Sequence, residues 1–75
     1  MDVFEFNDLD ALWAHVKDLK QNECRDVRHT SQGAQGVFTE LKDDQRFNDF
    51  KWNNARYRQP DETDDPRRFT ICRKP

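Results

Sequence analysis

The chain opens on an alternation with period two. Across residues 2–6, Phe4 and Phe6 fall on one side and Val3 and Glu5 on the other, which predicts a strand. From Asn7 onward the period lengthens. Leu9, Leu12, Trp13, Val16 and Leu19 share one helical face while Asp10, Lys17, Asp18 and Gln21 lie away from it, so residues 8–21 read as an amphipathic helix. Asn7 is its expected N-cap, with Asp10 three positions on in the spacing of a capping box. Asp8 and Asp10 suit the positive end of the helix dipole, and Lys17 and Lys20 the negative end.

The middle of the chain alternates less cleanly. Residues 24–30 carry β-branched Val27 and Thr30 and read as a short strand. Residues 31–36 hold both glycines and no large side chain, which predicts a loop. For residues 37–41, β-branched Val37 and Thr39 favour a strand. The competing pattern is a helix through Phe38, Leu41 and Gln45, and a second helix over residues 38–51 would move the fold toward a split β-α-β arrangement. Residues 42–45 read as a polar turn. Phe50 and Trp52 then have strand spacing, as do Ala55 and Tyr57, with a change of register at Asn53 and Asn54 that signals a bulge or a hairpin. Residues 59–66 contain four acids between two prolines and predict an exposed loop. Phe69 and Ile71 oppose Arg68, Thr70 and Cys72 in a terminal strand of residues 67–73.

These elements predict one small α+β domain over residues 1–75: an antiparallel or mixed sheet of three to five strands with one amphipathic helix packed on it. Val, Ile, Leu and Phe make up only 15 of the 75 residues, but six Phe, two Trp and one Tyr supply large apolar areas. With a net charge of only -2, that ring content favours a compact chain over a disordered one. The length excludes a multidomain enzyme and a doubly wound nucleotide-binding fold. No apolar run approaches a membrane span, and the acidic opening MDVFEFNDLD is unlike an export signal. A cytoplasmic protein is the expectation, with Cys24 and Cys72 as free thiols facing each other across a strand pair.

Charge is laid out in blocks. Residues 46–58 carry +3, residues 59–66 carry -4 and residues 67–75 carry +4. Such blocks can complement one another within the fold or steer a charged partner into register. Arg46, Lys51, Arg56 and Arg58 interleave with Trp52 and Tyr57, and Arg67 and Arg68 extend the basic set. Rings and arginines on a sheet suit single-stranded nucleic acid. They also suit a protein interface, where Trp, Tyr and Arg concentrate binding energy. Asp61, Glu62, Asp64 and Asp65 form the acidic counterpart, yet without the glycine that a calcium loop uses at its turn.

The chain shows no phosphate-binding loop, HExxH or nucleophile elbow. His29 with Cys24 or Cys72 is the one nucleophile–base pairing with chemical logic, and His15 reads as a structural histidine at the core boundary. No cofactor, metal or catalytic set is expected. The expected function is a non-enzymatic protein-binding module that regulates or inhibits a larger assembly, with homodimerisation compatible. The alternative is an accessory nucleic-acid-binding domain using the basic-aromatic strands.

Overall fold

Period-two segments build one four-stranded sheet, and the two helices between them cover one of its faces. A computed structural model describes residues 3–54 and 65–75. In chain order the elements are β1 (Phe4–Phe6), α1 (Leu9–Val16), β2 (Cys24–His29), α2 (Ala34–Lys42), a 3-10 turn (Gln45–Phe47), β3 (Phe50–Asn54) and β4 (Arg68–Arg73). The sheet order is β1-β2-β4-β3. β1 runs parallel to β2, and β4 runs antiparallel to both of its neighbours. The fold is therefore a small α+β domain with a mixed sheet, as the patterning predicts, but with two helices where one is expected.

The second helix is the main correction. Residues 34–42, which the favoured sequence reading divides among a glycine loop, a strand and the start of a polar turn, form α2, and the competing helix over residues 38–51 has the right type of element but starts and ends too late. Ala34, Val37 and Leu41 recur at i, i+3 and i+7 and are buried, while Phe38 packs edge-on against Phe69 at 5.2 Å. A strand here would have put Thr39 on the same face as Val37 and Leu41. Topology also demands a crossover: β2 and β3 run the same way with β4 between them, and parallel strands cannot be joined by a tight turn. Gly33 caps α2 without a side chain, and the Ala34 N–H donates instead to the Pro66 carbonyl at 2.8 Å.

α1 starts and stops differently from its prediction. Asp8, not Asn7, is the N-cap, its carboxylate accepting from the Ala11 N–H at 2.8 Å. The helix ends at Val16 because the chain must turn back into β2. Leu19 N donates to Val16 O, and Asn22 adopts a left-handed φ of 69°. Arg73 fastens this turn from β4: its guanidinium donates to the Leu19 and Lys17 carbonyls at 2.6 and 3.1 Å and lies 4.6 Å over the Phe50 ring. Leu19 keeps its place in the core although it lies beyond the helix.

The core lies between helices and sheet. Leu12, Val16, Ala34, Val37 and Leu41 from the helices meet Phe6, Val27, Phe50, Phe69 and Ile71 from the strands, with Phe47 closing one end. Trp13 stands edge-on to Phe47 and Phe50 at 5.7 and 5.9 Å, so rings carry much of the packing. The opposite sheet face bears Glu5, Cys24, Asp26, Arg28, Lys51, Asn53, Arg68, Thr70 and Cys72, by the pairing register. Cys24 and Cys72 are direct partners across β2 and β4 and are joined in a disulfide, which corrects the expectation of free thiols. Strand pairing brings together residues 48 positions apart, a proximity that spacing alone does not reveal.

Candidate interaction surfaces

Of the residues expected to meet a partner, those among the described residues lie on more than one surface. Lys51 is exposed on β3 and, by register, belongs to the sheet face opposite the helices. Trp52 is half-buried and turned the other way, packed against the core. Arg46 sits in the 3-10 turn beside α1. Arg56, Tyr57, Arg58, Asp61, Glu62 and Asp64 lie outside the described residues.

On the face opposite the helices the charges are arranged in connected pairs. Arg28 holds Glu5 on one side and Asp65 on the other, the latter at 3.3 Å. Asp65 also accepts from the backbone N–H and the guanidinium of Arg67 at 3.0 and 3.2 Å. Arg67 reaches further, to the Thr30 carbonyl at 2.9 Å. Burial alone would raise the Asp65 pKa, but the hydrogen bonds from Arg67 and Arg28 outweigh it and hold the carboxyl below its ordinary range. Arg68 approaches Asp26 at 3.9 Å, and Asp26 accepts from the Thr70 hydroxyl at 2.7 Å. Asp65, Arg67 and Arg68 thus order the entry to β4.

A second surface, absent from the sequence-derived set except for Arg46, is a cleft of about 490 Å³ on the helix side. Phe6 and His29 line it from the sheet, Asn7 to Asp10 from the start of α1, Gln32 and Glu40 from around α2, and Asp44 and Arg46 from the following turn. Four carboxylates face one guanidinium. Arg46 donates to Asp10 at 2.9 Å and grips Asp44 through Nε and Nη2 at 3.1 and 2.8 Å. These bonds from Arg46 lower the Asp44 pKa and raise that of the guanidinium. The Glu40 carboxylate engages no cation among the described residues.

His29, at 8% exposure, is the one buried polar side chain of the described residues. Its Nδ1 accepts from the backbone N–H groups of Ser31 and Gln32 at 3.0 and 2.8 Å, which places the ring proton on Nε2. Phe6 stands edge-on to the ring at 5.2 Å. The disulfide removes both thiols from any pairing with His29. No cluster among the described residues could hold a metal ion, and none of their helices is long and apolar enough to cross a membrane. The cleft draws on four separated stretches of chain, so no linear motif announces it. Asp8 and Asp10 were visible only as helix-start residues.

No protein-family model matches the chain, and neither a curated protein nor a solved structure matches it.

Proposed function

We propose that this protein is a non-enzymatic protein-binding module that regulates or inhibits a larger macromolecular assembly. One observation carries the reading: Phe6, Phe47, Phe50 and Phe69 are spent on the interior with Phe4 and Phe38 half-buried against it, while the surface is an ordered pattern of charge with an acidic cleft. Ordered charges of this kind give register and partner choice more than bulk affinity. The partner presents positive charge to the helix side. Its binding is faster and tighter at low salt, as expected for charge-steered association.

The nucleic-acid alternative would need rings free to stack on bases. Phe50 is enclosed at 2% exposure, and Trp52 shares its side of the sheet. Arg67 is already engaged by Asp65 and Thr30. These observations favour the protein-binding reading. Affinity purification of the full chain from its native cell, with native mass measurement of what is retained, is the test. A stoichiometric protein partner is the expected result. Retention of nucleic acid alone, or of nothing, would overturn it, and a mass of two chains would make the partner a second copy.

A further inference from the structure

The two halves of the Cys24–Cys72 disulfide meet solvent unequally. Cys24 is exposed, whereas Cys72 keeps only 7% of its surface. The bond joins a direct cross-strand pair, so it runs across the sheet from β2 toward β4. Displacement at sulfur is in line: a thiolate must arrive on the side of the attacked atom that faces away from its bonded partner. For Cys72 that side lies toward β3, where Lys51 is its register partner on the same face, with Cβ atoms about 5 Å apart. For Cys24 it lies toward β1, and there the pairing stops short, since β1 is joined to β2 only from Phe4, opposite Val27. Beside Cys24 is an open cavity of about 610 Å³, lined also by Phe4, His15, Arg25 and Asp26.

The acids at this cavity are engaged. Glu5 is held by Arg28, and Asp26 accepts from Thr70 and stands near Arg68. Arg25 donates to the His15 carbonyl at 3.4 Å and meets no carboxylate among the described residues. We propose that Cys24 is a thiol–disulfide exchange site, at which a small carboxylate-bearing thiol enters this cavity against Arg25 and is captured on Cys24 Sγ. The incoming thiolate forms its bond to Cys24 Sγ as the Cys24–Cys72 bond breaks, and the electron pair of that bond leaves on Cys72 as thiolate. One S–S bond replaces another, so the step needs no external oxidant. The Lys51 cation beside Cys72 favours the departing anion. Strand pairing keeps Cys72 next to the mixed disulfide, and its return attack expels the thiol and restores the bond.

The experiment treats the disulfide-intact full chain with reduced glutathione, quenches early with iodoacetamide and maps both cysteines by peptide mass. Glutathione on Cys24 with the alkyl group on Cys72 is expected, exceeding the reverse pattern by at least about tenfold. Arg25→Gln should slow opening by glutathione several-fold and leave opening by uncharged mercaptoethanol unchanged. Lys51→Ala clears the approach to Cys72 and should raise that sulfur's share of the glutathione. Removing free glutathione from the unalkylated mixed disulfide should restore the original bond. Equal labelling of the two sulfurs, no opening by glutathione, or an Arg25→Gln effect shared by both thiols would overturn the proposal. So would a Lys51→Ala labelling ratio equal to that of the wild type, or a mixed disulfide that does not revert.

Discussion

His15 lies flat on Phe4, ring centroids 3.7 Å apart and planes 5° apart. Burial first, and then the nearby Arg25 guanidinium, hold its pKa below the usual 6.5. Unfolding returns the ring to that higher value, so on acidification the unfolded chain takes up the proton first. Stability contributed here is full above pH 6.5 and is lost as pH falls toward the folded value. Asp44 and Asp65 act lower on the scale: their folded values are below 3.8, so their contribution holds above it and disappears as pH falls through those values. Thermal melts should therefore show two acid losses, one beginning near neutrality and one in strong acid. His15→Gln should flatten only the first, and an NMR titration of His15 should give a midpoint below 6.5.

Among the elements, β1, α1 and β4 were legible because each declares its period locally and its apolar face is uninterrupted. α2 was not. Gly33 and Gly36 mimic a loop, Val37 and Thr39 mimic a strand, and what makes the segment helical is the distant demand for a crossover. The cleft was illegible for a related reason, since His29, Asp8 and Glu40 meet only once both helices lie on the sheet. The disulfide likewise required the β2–β4 register. Gly36, inside α2, tests the helix directly. A Cβ there would come 2.5 Å from Gln32 Nε2, the far end of a flexible side chain that can swing aside. Gly36→Ala should then gain up to about 1 kcal/mol from the lost glycine entropy, seen as a Tm higher by a few degrees. A lower Tm would show that Gln32 is fixed in its place at the cleft.

For the whole molecule, the disulfide is a large share of the stability. Closing a loop across 48 positions is worth about 4 kcal/mol in the chain-entropy account, comparable with what a core of this size supplies. Thiol reductant, or Cys24→Ala with Cys72→Ala, should lower Tm by more than about 10 °C. An unchanged melt would mean that the sheet and ring core hold without the bond. The sheet order has a consequence of its own. The last strand in sequence lies between β2 and β3. On a translating ribosome, residues 24–29 and 50–54 emerge before the strand that must part them, with Phe6, Val27 and Phe50 still uncovered. The sheet cannot be completed until residues 68–73 have left the exit tunnel, and until then the apolar faces of the earlier strands stay open to chaperones and proteases.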